Sequence, residues 1–440
     1  MPSTVDAADV LILGAGLTGL AAAERLAAAG SSVLVVERAP QPGGLARTLE
    51  RDGFRFDLGG HRLYFQDDRA LRRVVELVGE TELLRHPRLS SVCFRGRFLP
   101  YPPGVREGLL QGLPLALGLL RRRLLGGRRG DPGSLRDWVV ERFGEGVHDL
   151  YFRDYSRKVW GLPTERISAA WADRRIGDLD LYSLARRIFI DSGDVKENAS
   201  YFLYPRRGVG ALTEALAERV GGGRVLCGAE PLALEAEGGS LRVLRVRTAE
   251  GERTLRFGRL VSTVPLTELA RLLPGGAPVE GVRYRALIVV HLALRCAPLF
   301  DEHWVYFPEE EFFFSRLSET VNWSPSMAPA GCTGVTCEVF CDEDDAVWRA
   351  SDDELVGKIL ASLRRVRAVP DGARAFASVV RVPFAYPLLY AGYEAPLAAL
   401  TRRCAEFPNL RLAGRTGTHS YYDMEECLLD AWDAAAVPAP

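Results

Sequence analysis

Three glycines, Gly14, Gly16 and Gly19, follow an apolar run from Asp9 to Leu13 and lead into an alanine- and leucine-rich stretch from Leu17 to Ala29. The run has strand length and the stretch reads as a helix. A second apolar run, Ser32 to Val36, ends in Glu37. Strand, glycine triplet, helix, strand and acid in this order predict a βαβ dinucleotide site. Gly14 permits the tight turn, Gly16 lets the backbone approach a pyrophosphate, and Gly19 lets helix and strand pack closely. The expected phosphate loop therefore comprises Gly14, Ala15, Gly16, Leu17, Thr18 and Gly19. Its helix N-terminus offers free N–H groups and the positive end of a dipole. Glu37, followed by Arg38, is placed to accept hydrogen bonds from ribose hydroxyls.

A length of 440 residues exceeds one ordinary domain, so two or three compact units are expected. The composition is globular, 47% hydrophobic and 26% charged. Its 57 acidic and 56 basic residues give a net charge of −1, without the basic surplus that nucleic-acid binding asks for. Met1 to Ala8 lacks the basic-then-apolar build of a signal peptide, and no stretch reaches the roughly 18 apolar residues of a membrane span. A cytoplasmic protein is expected. Residues 108–125 read either as an interfacial helix making peripheral membrane contact or as an ordinary helix with a basic end. The eight cysteines form no CxxC pair. Cys332, Cys337 and Cys341 read as buried or strand-borne thiols, and no metal site is expected. A small-molecule substrate is the expected partner, with a homodimer left open. Lys158, Lys196 and Lys358 are the chain's lysines; every other basic residue is arginine. Codon bias in a GC-rich genome accounts for part of that, but mechanisms needing an amine have three candidates.

A second glycine pair narrows the nucleotide. Gly43-Gly44-Leu45-Ala46-Arg47 follows Glu37, and a short strand, Phe54 to Leu58, leads into Gly59-Gly60-His61-Arg62. The pair brings more backbone to a ligand, and Arg47 can neutralise a pyrophosphate. The stretch GAGLTGLAAAERL…VLVVERAPQPGGLARTLERDGFRFDLGGHRLYF resembles the FAD site of the flavin-dependent amine oxidase and protoporphyrinogen oxidase superfamily, which includes UDP-galactopyranose mutase. The resemblance implies FAD as cofactor. It also implies an α/β (α+β) fold, a Rossmann-type FAD-binding domain interleaved with a substrate-binding domain. A helix from Val209 to Val220, a strand from Val225 to Ala229, and two alternating strands with turns at Gly238-Gly239 and Glu250-Gly251 continue the pattern. Arg259 to Pro265 then returns to the nucleotide-binding sheet, and Leu410 to Ala413 reads as its last strand. The FAD-binding domain would be discontinuous, 1–66, 205–265 and 405–440, with 67–204 and 266–404 forming the substrate-binding domain.

The ending GRTGTHSYYDMEE is similar to that of the mutases, with Tyr421 opening a last helix. That resemblance implies Gly414 and Arg415 beside the flavin, Tyr421 on a substrate diphosphate, and Asp423 and Met424 near the flavin ring and ribityl chain. YSRKVWGLP, Tyr155 to Pro163, resembles their YTxKQWG segment and implies Trp160 against a uridine-type ligand, plain core being the alternative. Arg174 falls on a loop arginine of theirs, and Tyr284-Arg285-Ala286-Leu287 resembles their YRSL strand, implying Arg174 and Arg285 at a pyrophosphate. Tyr386 is expected on the substrate side. His61 is expected at the flavin edge, as a catalytic group with Tyr421 and Arg415; a backbone-satisfied structural histidine is the alternative.

The mutases carry a second histidine three positions after the first, where this chain has Tyr64. FDLGGHRLYF, KVWGLPTERISAAWADRRI, RLSETVNWSPSM and FAYPLLYAGY resemble a group of bacterial flavoproteins described as protoporphyrinogen-oxidase-like or mutase-like. The expected reaction is oxidation of a small polar metabolite, sugar- or nucleotide-linked ones included, by hydride transfer to flavin N5. The alternative is a non-redox, mutase-like isomerisation of a sugar nucleotide with reduced FAD. Many amine oxidases place a lysine on a water at flavin N5, and three lysines make that reading weaker here.

Overall fold

The computed structural model describes residues 5–101, 133–176, 201–276, 279–367 and 369–436. The segment 108–125 and Lys196 lie outside them. The central strand, Val5–Leu13, carries Leu11, Ile12 and Leu13 wholly buried, as a strand covered on both faces must be. It pairs in parallel with Val33–Val36 on one side and Gly251–Ser262 on the other. Among the described residues the sheet runs Glu230–Glu237, Ser240–Thr248, Gly251–Ser262, Val5–Leu13, Val33–Val36, Val225–Leu226. Leu410–Leu412 adds in parallel beside the end of Gly251–Ser262. Helix Leu17–Ala28 lies against this sheet, and Leu20 and Leu26 join Leu212, Leu216, Leu428 and Ala431 in one core. A Cβ at Gly19 would collide with the Gly14 carbonyl, so the helix can approach the strand only with glycine there.

A second sheet runs Arg374–Pro387, Tyr284–Leu294, Thr333–Cys341, Arg316–Glu319, Trp304–Tyr306, Ser90–Phe94, Arg97–Pro100. Tyr284–Leu294 is buried almost end to end, without the alternation of a half-solvated strand. Both of its faces are covered. Leu355, Ile359 and Leu363 of helix Asp352–Arg364 pack on Ile288, Val290 and Leu292, together with Cys337 and Cys341. On the opposite face Leu45, next to the second glycine pair, packs with Leu287 and Val289. The nucleotide-side turn thus meets the second sheet through an ordinary apolar contact.

Two expected elements end differently. The strand from Val225 stops at Leu226, because Gly228 takes φ +65° and the Gly228 and Ala229 N–H groups donate to the carbonyls of Ala39 and Glu37. The last helix is Met424–Ala436 and does not open at Tyr421, because Asp423 caps it. Asp423 Oδ1 accepts the Glu426 N–H at 3.1 Å while Glu426 Oε2 accepts the Asp423 N–H at 2.8 Å, a reciprocal capping box. No helix among the described residues is long and apolar enough to cross a membrane.

Asp57 joins distant segments of the chain. It is buried and accepts hydrogen bonds from the Thr48 hydroxyl at 2.6 Å, the Tyr204 hydroxyl at 2.6 Å and the Val209 N–H at 3.2 Å. Burial nevertheless pushes its pKa up to about 6. Between the ordinary value of 3.8 and about 6 the folded chain holds a proton that the unfolded chain has lost. Its contribution to stability is therefore full at low pH and falls as pH rises through that window. Urea midpoints at pH 4 and pH 7 should show the wild type losing on the order of 3 kcal/mol relative to Asp57→Asn. A parallel pH response in both proteins would contradict this.

Candidate active site

Two glycine turns face each other at the end of the central strand. Gly16 and Gly43 form a parallel bridge, and the Gly43 N–H donates to the Ala15 carbonyl at 2.7 Å. A Cβ on Gly44, whose φ is +57°, would lie 2.9 Å from Gly16 Cα. Gly16 caps helix Leu17–Ala28 without a side-chain hydrogen bond, and the first turn holds no acid, so the leading N–H groups and the dipole end face outward unneutralised. Glu37 directly follows the second strand and accepts from the Ala15 and Ala39 N–H groups, both at 2.8 Å. Arg38 beside it is exposed. Arg47 has a buried Nε without a partner, and burial lowers its pKa against the raising field of Glu37. Ala46 turns its carbonyl to the Thr213 hydroxyl at 2.9 Å.

The C-terminal motif docks on the first turn. Asp430 accepts the Gly414 N–H, and a Cβ on Gly414 would lie 2.9 Å from the Thr18 hydroxyl. Arg415 is thereby held with its guanidinium carbon 4.5 Å from the Tyr386 ring and 4.8 Å from that of Tyr421. Those two rings stack at 5.4 Å, and Trp160 meets both edge-on at 6.0 and 5.9 Å. Arg415 Nε is buried without a hydrogen-bond partner, and no carboxylate among the described residues pairs with Arg415. Trp160 is itself only 4% exposed, so it is a wall with one edge toward the tyrosines. Met424 packs into the core of the first helix, and Asp423 serves the cap described above. Glu425, one residue on, accepts the Gln66 and Asp67 N–H groups, both at 2.6 Å, and so ties the closing helix to the chain that follows His61.

The third glycine turn, Gly59-Gly60-His61, rests on the second sheet. His61 Nδ1 lies 3.2 Å from the Gly59 carbonyl. A proton on Nδ1 satisfies that carbonyl and leaves Nε2 as the lone-pair nitrogen. Burial, then the fields of Arg316 and Arg415, push the His61 pKa down to about 4. Arg316 and Glu338 form a bidentate pair, both bonds 2.7 Å, and Glu338 Oε1 also accepts the Gly60 N–H at 3.2 Å. Tyr155 and Tyr306, 5.8 Å apart, lie within the field of this pair. None of these four residues is singled out by the sequence reading. Glu338 carried a usable signal, since a lone acid in the apolar run TGVTCEVFC demands a buried partner.

The remaining expected groups are placed elsewhere or engaged. Arg285 is buried, with Nε donating to the Val159 carbonyl at 2.9 Å and Nη1 paired with Asp342 at 2.7 Å. Arg174 lies in the helix Ala169–Ile176, and its side chain is outside the described residues. Lys158 donates to the carbonyls of Phe307, Glu309 and Phe314 at 2.8, 2.9 and 2.7 Å, and burial lowers its pKa to about 7. Lys358 pairs with Glu354 on the surface. Glu145, His148 and Asp149 lie close together, but the two acids pair with Arg136 and Arg153 and His148 Nε2 lies 2.8 Å from the Thr164 hydroxyl.

The profile of the family described as flavin containing amine oxidoreductase matches residues 17–437. The chain belongs to that family. Its cofactor is FAD, and the family fold is the Rossmann-type FAD domain with a substrate domain. The structure of reduced UDP-galactopyranose mutase is similar with a TM-score of 0.82 and 23% identity, over 97% of this chain and 94% of that one. Cyclohexylamine oxidase from Brevibacterium oxydans IH-35A gives a TM-score of 0.67 at 16% identity, over 98% of each chain. Both likenesses speak to fold. The phytoene dehydrogenase of Streptomyces griseus is 58% identical over 92 residues, 20% of this chain and 17% of that protein.

The residues present fit FAD. The paired glycine turns leave backbone bare, Arg47 has an unused buried donor, and the first helix presents uncapped N–H groups, which together suit a pyrophosphate. Gly44→Ala should weaken FAD binding at least roughly tenfold through strain and lost approach. Absorbance of the purified variant, read as flavin per chain, checks this; wild-type occupancy would contradict it.

Proposed function

We propose that this FAD-dependent enzyme is an oxidoreductase that oxidises a small polar, anionic metabolite, sugar- or nucleotide-linked ones included. The observation that carries the reading is Arg415, a cation with no acidic partner among the described residues, set against the stacked Tyr386 and Tyr421 where the C-terminal motif meets the first glycine turn. In this reading 1–66, 205–265 and 405–440 hold FAD, while 67–204 and 266–404 supply most of the substrate walls. Gly14 to Gly19, Gly43 to Arg47 and Glu37 hold the nucleotide, and Gly59 to His61 with Gly414 and Arg415 border the flavin. Bound FAD supplies a two-electron hydride acceptor. Arg415 holds the anionic group of the substrate by charge-assisted hydrogen bonds. Tyr386 and Tyr421, backed by the edge of Trp160, orient the substrate beside Arg415 and exclude water. His61, neutral above about pH 4, offers the Nε2 lone pair to the proton leaving the substrate heteroatom.

A mutase-like isomerisation of a sugar nucleotide is the second reading. It is favoured by the likeness to UDP-galactopyranose mutase along nearly the whole chain and by the meeting of Trp160, Tyr386, Arg415 and Tyr421. Anaerobic mixing with sugar nucleotides and with small carboxylic or hydroxy acids separates the two. Oxidation bleaches the flavin and yields a product two electrons poorer, and Arg415→Gln lowers kcat/KM by roughly 10- to 100-fold. Ring isomers formed only by pre-reduced enzyme would contradict it. Because His61 carries a depressed pKa, the rate should show no histidine limb near pH 6.5 and should fall only as pH drops toward 4. A His61-dependent inflection above pH 6 would contradict the depressed pKa, and a pH-rate profile left unchanged by His61→Gln would remove His61 from this role.

A further inference from the structure

We infer that the site beside Arg415 takes a substrate with a single carboxylate on a flat apolar body, and not a diphosphate. The inference rests on the oxidoreductase reading of the same site and concerns the charge that site can accept. Among the described side chains three arginines stand around the aromatic walls or behind them, and two are already neutralised by acids of this chain. Arg285 is paired with Asp342 at 2.7 Å and turned onto the Val159 carbonyl, with its guanidinium packed against Gly161. The fork of Arg316 is filled by Glu338, whose carboxylate is wholly buried and is further fixed by the Gly60 N–H.

A diphosphate drawn to Arg316 would have to displace Glu338 and leave its charge buried and unpaired, or bind beside it against like-charge repulsion. Arg415 has no such counter-ion among the described residues, and its Nε lacks a partner. One planar cation with open donors matches one carboxylate. Tyr386 and Tyr421, stacked at 5.4 Å with the Trp160 edge meeting both, are half-buried rings beside Arg415, against which the apolar body of such a carboxylate would pack. Among the described residues, the acids beside these arginines, Asp342 and Glu338, are both used, which leaves neither for a cationic amine.

The test uses the FAD-loaded enzyme and three probes, benzoate, inorganic pyrophosphate and benzylamine, titrated by calorimetry with flavin content measured separately. Benzoate should bind at least roughly tenfold tighter than pyrophosphate, and benzylamine should not bind. Arg415→Gln should abolish benzoate binding. Glu338→Gln should free Arg316 and tighten pyrophosphate binding roughly tenfold. Should that variant fail to fold, the Arg316→Gln/Glu338→Gln pair keeps the volume without either charge and should bind pyrophosphate as weakly as the wild type does. Pyrophosphate binding as tight as benzoate in the wild type, or pyrophosphate affinity unmoved by Glu338→Gln, overturns the inference while leaving the flavoenzyme reading intact. A chain that refuses FAD overturns both.

Discussion

Two glycine turns approach each other closely where Gly44 faces Gly16. A Cβ on Gly44 would crowd Gly16 Cα at 2.9 Å, and the Gly43 N–H to Ala15 carbonyl bond locks that approach in place. Much of the site is referred to this contact. Helix Leu17–Ala28 starts at Gly16, and the C-terminal motif seats Gly414 on Thr18, two residues further on. Leu45, next to Gly44, packs on the second sheet at Leu287 and Val289. The two sheets are thereby positioned from one spot, and Arg415 is carried to the seam between them.

Charge is handled in that seam by pairing and by burial. Glu338 reaches from the second sheet to the Gly60 N–H while neutralising Arg316, so a turn of the nucleotide side hangs on a buried carboxylate of the other. Breaking a buried pair of this kind strands the partner's charge, which typically costs about 3–5 kcal/mol. Asp57 plays a comparable part among the segments near Thr48, Tyr204 and Val209, but as an acid whose pKa burial has raised. Lys158, the lysine in the segment that also carries Trp160, spends its three donors on backbone carbonyls of a phenylalanine-rich loop. Its amine is structural.

The nucleotide side was legible in the sequence because glycine and chain order leave few alternatives. Strand, triplet, helix and acid each have a backbone reason to be where they are, and the resemblance extended them along the chain. The cluster around Arg415 was legible only in part. Trp160, Tyr386, Arg415 and Tyr421 do come together, although they are scattered over most of the chain. Arg285 shows the limit of such reading. Its place on the strand was foreseen, but its partner Asp342 depends on a register that sequence does not disclose. Arg316 and Glu338 escaped notice for the same reason, since the ladder between Arg316–Glu319 and Thr333–Cys341 is what sets them side by side. The last helix began late because a capping box at Asp423 was present but unread.

The central claim is that the facing glycine turns hold FAD so that its reactive ring lies beside Arg415, between the two sheets. A crystal structure of the FAD-reconstituted protein tests it most directly. The account predicts one FAD per chain, the pyrophosphate against Gly16, Gly44 and Arg47, and the isoalloxazine ring within contact of Gly60, His61 and Arg415. A flavin ring placed away from Arg415, or a pyrophosphate that does not touch the Gly16 and Gly44 turns, would contradict it.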